Sequence, residues 1–222
     1  MTATDIFSSE ETTVMENDNS MMMDNEQQYE ALCKTEQDYM SANDYLSRLS
    51  EIDTECRQAT IAWFYHVADY CRLEGETVEI SVNYLDRFLS NEDMVKSDLT
   101  LDDFQLIALT CLYVAVKVHE SVSMKPAVIA SLSGAQVLPE DIVACEQQLL
   151  QGLGWRMNPP TAMSFVRLTM SLNNLPPVAE HQVVKLCKMQ LEGALLDYFS
   201  MVTVRPSVLA AAAVSNSLIG YD

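Results

Sequence analysis

Four charged side chains stand at positions where helical periodicity predicts apolar residues. Arg57 falls on the apolar stripe of one predicted helix, and Asp86 lies about 60° from the centre of the stripe on the next helix. Lys117 ends a long uncharged stretch, and Glu146 lies on the apolar stripe of a later helix. An unpaired charge inside a helical bundle is costly, so each of these groups requires a partner.

These four charges favour a structural role or a role in protein binding. Arg57 and Asp86 are opposite in charge and lie on consecutive helices, and we infer an ion pair between them. The alternative is that both side chains reach water at the edge of the bundle. Lys117 and Glu146 also leave two possibilities open: they pair with each other, or both bind backbone groups of a partner protein.

The sequence contains no residue pattern typical of a catalytic or metal-binding site. His66, His119 and His181 are scattered, and no nucleophile and base recur in a recognisable arrangement. The six cysteines form no close pairs of the kind that zinc or redox motifs require, and free thiols in a reducing compartment are expected. We therefore expect no enzyme, no cofactor and no metal site.

The elements that position these residues are all helical. From residue 56 onward the apolar residues recur at helical spacing, with no strand-like alternation. The predicted helices lie near 40–50, 56–73, 76–90, 101–119, 124–132, 139–153, 161–172, 178–198 and 206–219. Between Asp103 and Lys117 no residue is charged and apolar side chains cover every side of the helix. Such a helix is buried all round, at the centre of a bundle.

The domain organisation follows from composition. Residues 1–40 are strongly acidic, and we expect them to be a disordered tail. Residues 41–155 form one helical domain with a leading helix, 156–160 are a linker that contains two prolines, and 161–222 form a second, partial domain.

Charge and hydropathy exclude two partner classes. A net charge of −19 and a pI near 4.3 argue against nucleic acid, because phosphate binding needs clustered lysine and arginine. The longest apolar stretch, 106–116, is well short of the ~18 residues typical of a bilayer span. The expectation is an intracellular protein of the nucleus, the cytoplasm or both, without a membrane partner.

One face of the 56–73 helix carries a tryptophan outside the core stripe. Cys56, Thr60, Trp63 and Val67 share this face. Either the apolar N-terminal segment 45–52 covers it, or it is a docking groove for a short apolar peptide.

Several sequence strings resemble the cyclin box. RQATIAW (57–63) and SVNYLDRFLS (81–90) match the first half of the box, and Lys117, Glu146 and LGWRM (153–157) continue it in order. LGWRM, with Arg-Pro-Ser at 205–207, looks most like the D-type cyclins of plants and protists. The resemblance implies a cyclin fold: five helices around a central buried helix, followed by an incomplete second repeat whose early end leaves apolar surface exposed.

The resemblance also implies a function. A cyclin is a regulatory subunit that binds and activates a cyclin-dependent serine/threonine kinase in cell-cycle control. In that family the residues matching Lys117 and Glu146, with Leu106, contact the kinase beside its regulatory helix and push that helix inward. The alternative is a cyclin-fold scaffold in transcription that activates no kinase.

Two further roles come with the resemblance. The residues matching Arg57 and Asp86 form a buried ion pair in cyclins. Those matching Trp63 and Gln105 line a docking patch for substrate or inhibitor peptides, and we assign Cys56 and Thr60 to the same patch.

Overall fold

The computed structural model describes residues 23–41, 44–134, 137–173 and 175–219, and these contain helices and no strand. The all-helical prediction is confirmed. The helices are α1 (23–35), α2 (Thr54–Cys71), α3 (Gly75–Ser90), α4 (Leu101–His119), α5 (Pro126–Ser133), α6 (Pro139–Gly152), α7 (Ala162–Asn173), α8 (Pro177–Leu196), α9 (Tyr198–Thr203) and α10 (Pro206–Ile219). Two short 3-10 helices span Glu36–Tyr39 and Leu46–Arg48. We call α2–α6 the first repeat and α7–α10 the second repeat.

Helix α4 is the centre of the first repeat. Every residue from Ile107 to Val116 is buried, and α4 packs against α3, α5 and α6. The side chain of Thr100 accepts a hydrogen bond from the Asp103 amide and caps the start of the helix. The prediction of a helix buried on all sides is confirmed.

The contact between α3 and the end of α6 depends on a glycine. A Cβ atom added to Gly152 would lie 2.5 Å from the ring of Phe88. The absence of a side chain at Gly152 therefore lets the end of α6 approach the ring of Phe88 closely.

The second repeat has a smaller core built from α7, α8 and α10, and α1 packs against it. The ring of Tyr29 lies 5.3 Å from that of Phe165 in an edge-to-face contact, and Leu32 and Cys33 pack on the same core. The expectation of disorder over 1–40 is thus wrong for 23–40, while 1–22 lie outside the described residues.

The α-helix expected near 40–50 is also wrong. The described part of this segment is coil with the short 3-10 helix Leu46–Arg48. Arg48 donates to the carbonyls of Leu89 and Val95, both at 2.7 Å, and these tertiary contacts hold the segment extended along α3. Long-range packing here outweighs helical propensity.

The second repeat leaves apolar side chains in contact with water. The predicted 178–198 helix ends at Leu196, and the separate α9 follows it. Val178, Met189 and Val208 are each more than half exposed. Tyr70 and Trp155, outside the second repeat, are as exposed as these residues, so the expectation of extra apolar surface on the second repeat stays a prediction.

Candidate functional site

Arg57 on α2 and Asp86 on α3 form a buried, two-point ion pair. The Arg57 Nε atom donates to Asp86 Oδ1 at 2.9 Å, and Nη2 donates to Oδ2 at 2.8 Å. The exposed fraction is 0% for Arg57 and 4% for Asp86. The alternative, in which both side chains reach water, is excluded by this geometry.

Two partners of this pair come from distant parts of the chain. The Tyr45 hydroxyl donates to Asp86 Oδ1 at 2.7 Å, and Arg57 Nη1 donates to the carbonyl of Leu195 at 2.9 Å. The guanidinium also lies 5.7 Å from the ring centre of Tyr198. Because Leu195 belongs to α8, the ion pair joins the two repeats as well as two helices of the first.

The protonation states at this junction favour the pair. Burial by itself would lower the pKa of Arg57, but the charge of Asp86 and its hydrogen bonds reverse that effect and raise the pKa. Burial, together with the negative charge of Asp86, raises the pKa of the Tyr45 phenol. Arg57 therefore stays charged and Tyr45 stays a hydrogen-bond donor at neutral pH.

Lys117 and Glu146 form a second ion pair, between the end of α4 and the middle of α6. The Lys117 Nζ atom lies 2.8 Å from Glu146 Oε1. The lysine side chain is 52% exposed and that of the glutamate is 14% exposed. The hydrogen bond to Glu146 raises the pKa of Lys117. Of the two possibilities left open by the sequence, the free chain takes the first, in which the two residues pair with each other.

Leu106 lies on the same side of α4 as Lys117. Eleven residues separate them, which is about three helical turns and some 16 Å along the axis. Leu106 is half-buried and lines a groove with Cys145 of α6 and Leu99 of the loop before α4. One edge of α4 and α6 therefore presents an aliphatic end at Leu106 and a charged end at the second ion pair.

The face around Trp63 is an open groove. Its volume is about 330 Å³, and α2 and α4 form its walls. The lining residues are Cys56, Ala59, Thr60, Trp63, Leu101, Phe104, Gln105, Ala108 and Leu109. The structure thus brings together all four residues assigned to the docking patch. The N-terminal segment 45–52, the other possible cover, contributes no residue to this lining.

The remaining candidates for chemistry lie apart. His119 Nε2 is 2.9 Å from both the Tyr84 hydroxyl and the Met157 carbonyl. These are hydrogen-bond partners at the end of the first repeat. The six cysteines are free. Across the described ranges, no cluster of histidine, cysteine and carboxylate side chains could hold a metal. Nor is any helix in those ranges both long and apolar enough to cross a bilayer.

A polar stripe on α3, which the sequence analysis missed, also joins the repeats. Glu79 accepts a hydrogen bond from the Ala162 amide at 2.6 Å, at the start of α7. Glu76 pairs with Arg167 and accepts from the Thr161 hydroxyl. Burial raises the pKa of Glu79 to about 7, although the amides of α7 favour its charged form.

The signal for this stripe was present in the sequence. Glu76, Glu79, Asn83 and Asp86 recur at steps of three and four residues, so they share one side of a helix whose other sides are apolar. Such a stripe is normally the solvent-facing side of an amphipathic helix, so the sequence alone does not show that it meets a second domain.

Glu36 is a second residue whose role the sequence analysis missed. It is 2% exposed and accepts from the Ser207 amide at 3.0 Å and from the Ser207 hydroxyl at 2.8 Å. A carboxylate from the N-terminal segment thus caps the first turn of α10, which is 171 residues away in sequence. Neither spacing nor periodicity could identify a cap so distant in the chain.

The structure is thus an all-helical protein of two consecutive repeats. A buried ion pair and a polar stripe join the repeats. The family models described as Cyclin, N-terminal domain and Cyclin, C-terminal domain match residues 27–158 and 160–220. The chain belongs to the cyclin family. Cyclins are regulatory rather than catalytic proteins.

The curated relatives include several cyclin types. Cyclin-A1-2 of Arabidopsis thaliana is 30% identical over 84% of this chain and 41% of its own length. G1/S-specific cyclin-D1 of Rattus norvegicus is 26% identical over 89% of this chain and 65% of its own. Cyclin-B2-2 of Arabidopsis thaliana is 31% identical over 84% and 41%. The chain thus spans less than two thirds of the length of these relatives, and the matches do not single out the D type.

Solved structures share the fold. A viral cyclin from herpesvirus saimiri has a TM-score of 0.74 at 17% identity, over 87% of this chain and 82% of that one. A chain of the CAK complex of Chaetomium thermophilum bound to ATP-gamma-S has a TM-score of 0.56 at 18% identity, over 78% and 55%. The cyclin fold expected from the sequence is confirmed.

Proposed function

We propose that this chain binds and activates a cyclin-dependent serine/threonine kinase in cell-cycle control, in the nucleus, the cytoplasm or both. The observation that carries the proposal is the half-exposed Lys117–Glu146 pair on the edge of α4 and α6. Membership of the cyclin family supports it, as does the likeness in fold to a chain of the CAK complex.

The edge offers both polar and apolar contacts to a kinase. Lys117 can exchange Glu146 for a backbone carbonyl of the partner, and Glu146 then accepts a backbone N–H. Val143 lies three residues before Glu146, on the same side of α6, and is 53% exposed. Leu106 supplies an aliphatic contact at the far end of the edge.

The proposed mechanism is a shift of one helix in the kinase. The edge of α4 and α6 presses the regulatory helix of the kinase inward, so that the glutamate of that helix meets the catalytic lysine. The cyclin supplies no reacting group in this mechanism. Its contribution is the difference in binding free energy between the two positions of the kinase helix.

The groove around Trp63 gives the complex a place to recruit substrate or inhibitor peptides. Its floor is apolar at Phe104 and Leu109, and the half-buried indole forms part of the lining. Ala59 and Thr60 are small, so we expect the groove to take a bulkier apolar side chain from the peptide.

The test uses purified chain and a panel of purified cyclin-dependent kinase subunits, with complex formation and phosphorylation of a histone substrate as readouts. We expect the chain to activate at least one kinase. The double variant Lys117→Ala, Glu146→Ala should weaken binding at least about 30-fold, because it removes charge-assisted hydrogen bonds at the contact.

The matched control removes one charge of each sign elsewhere. Asp69 and Lys185 are exposed on α2 and α8, away from the edge of α4 and α6. The double variant Asp69→Ala, Lys185→Ala should bind and activate like the parent chain. Equal loss in both double variants, or a folded chain that activates no kinase, contradicts the proposal; the second result favours the transcription scaffold.

A further inference from the structure

A second groove lies between the N-terminal segment and α9, apart from the Trp63 groove. Its volume is about 690 Å³, roughly twice that of the Trp63 groove. One wall is the segment 44–54 and the other is α9. Leu49 and Ile52, both buried, contribute its apolar floor.

Phe199 provides the groove with an exposed aromatic anchor. Its side chain is 71% exposed, although it lies beside the half-buried Tyr198 and one turn from the half-buried Val202. All three line the groove. Exposed aromatic side chains beside an apolar floor are typical of surfaces that bind a large apolar side chain of a partner.

Every charged residue that lines this groove is acidic: Asp44, Glu51 and Asp53. Asp44 accepts from Tyr198 and Ser47, and Asp53 caps α2 through the Cys56 amide, so both carboxylates are held in place on the rim. Within the described ranges, Glu51 has no ion pair or hydrogen bond, and its carboxylate is exposed.

Among the residues that the structure describes, no basic side chain lines this rim. Arg48 is the basic residue of this segment, but its guanidinium donates to the carbonyls of Leu89 and Val95 and lies 3.9 Å from Glu92. The Trp63 groove differs in this respect, because its described lining contains no charged residue. The two grooves therefore select partners of different chemistry.

We propose that the groove between segment 44–54 and α9 binds a basic peptide segment in which lysine or arginine flanks a large apolar residue. The apolar residue packs on the floor beside Phe199, and the basic residues face Asp44, Glu51 and Asp53. Charge complementarity commits the surface to a cationic partner, and a second copy of this acidic chain is disfavoured by repulsion. Kinase activation is not needed for this binding.

The test measures binding of a short fluorescein-labelled peptide of lysine, leucine and tryptophan by fluorescence polarisation. Two comparison peptides replace the lysines by glutamate, or the leucine and tryptophan by serine. We expect both comparison peptides to bind at least about tenfold more weakly than the first. Equal binding by the glutamate peptide overturns the proposal.

Variants of the chain locate the bound peptide. Glu51→Lys and Phe199→Ser, both at exposed positions, should each weaken binding about tenfold. Asp69→Lys makes the same charge change as Glu51→Lys, but near the far end of α2. It should weaken peptide binding less than about twofold at physiological salt. Melting curves establish that each variant is folded.

Two further results would also overturn the proposal. If Asp69→Lys weakens binding as much as Glu51→Lys, the peptide responds to the net charge of the chain and not to this groove. If Trp63→Ala abolishes binding while Phe199→Ser leaves it unchanged, the peptide occupies the Trp63 groove. Neither result bears on the activation assay, so the two proposals fail separately.

Discussion

Among the described residues of the first repeat, two ion pairs join neighbouring helices, and they differ in their surroundings. Arg57 and Asp86 meet through two hydrogen bonds with almost no exposure to water. Lys117 and Glu146 meet through one contact, and the lysine is half exposed. The buried pair has two further hydrogen-bonded partners, from the N-terminal segment and from α8.

This difference separates a structural role from a binding role. A buried pair with every polar atom occupied cannot exchange partners without leaving a stranded charge, so it fixes the junction of the two repeats. A pair whose lysine is half exposed costs less to open, because water solvates the released ammonium group. The second ion pair can therefore be used at an interface, whereas the first cannot.

The largest effect is expected from Arg57→Ala. The substitution leaves Asp86 buried with only the Tyr45 hydroxyl as a side-chain partner and leaves the Leu195 carbonyl without its donor. The free energy of unfolding should fall by about 3–5 kcal/mol. Urea denaturation followed by circular dichroism measures this loss.

A double substitution is the control for that prediction. Arg57→Met with Asp86→Leu removes both charges and keeps apolar volume at the junction, so much of the lost stability should return. If Arg57→Ala costs less than about 1 kcal/mol, the pair is not the buried, fully bonded junction described above.

An intermediate effect is expected at Glu79, a partly buried carboxylate at the junction whose charged neighbours include Glu76 and Arg167. Its folded-state pKa of about 7 lies above the ordinary glutamate value of 4.5, so the folded protein loses stability as the pH rises through this interval. In Glu79→Gln the side chain cannot ionise, but its amide oxygen can still accept a hydrogen bond from the Ala162 amide. The variant should gain on the order of 2 kcal/mol over the parent at about pH 8, and nothing near pH 4.

Thermal denaturation across this pH range measures the effect. Glu76 and Arg167 lie beside Glu79 and remain in both proteins, so the difference between the two curves isolates the titration of Glu79. A constant difference at every pH would contradict the raised pKa.

The smallest effect on stability is expected from Lys117→Ala. A half-exposed pair contributes less than about 1 kcal/mol, and about 1 M salt should remove most of that contribution. The same substitution should nevertheless weaken kinase binding. Urea denaturation at low and high salt tests the first part, and a loss above about 2 kcal/mol would place this pair with the buried one.

The sequence predicts some parts of this molecule well for physical reasons. The uncharged stretch before Lys117 identifies the central helix, because only a fully buried helix tolerates it. The phases of Arg57 and Asp86 allow an ion pair or two water-exposed side chains, and the resemblance to cyclins implies the ion pair. Family resemblance then identifies the fold, which the structure and the family models confirm.

The failures arise where distant segments meet. The apolar positions of α1 at Tyr29, Leu32 and Cys33 lie within the acidic stretch 1–40, so composition alone suggests disorder there. The Tyr45 hydroxyl and the Leu195 carbonyl at the ion pair depend on how the repeats dock, which no local periodicity encodes. The conformation of the segment near 40–50 likewise depends on tertiary contacts that no local periodicity encodes.

The cap that Glu36 places on α10 has a consequence for synthesis. The two ends of this contact are 171 residues apart, so translation at ~5–20 residues per second separates their appearance by about 10 to 30 s. During that interval the first repeat can form its own core around α4, while α1 has no completed surface to cover. Helix α1, which is made before the helices that it packs against, is thus among the last of the described elements to reach its final position.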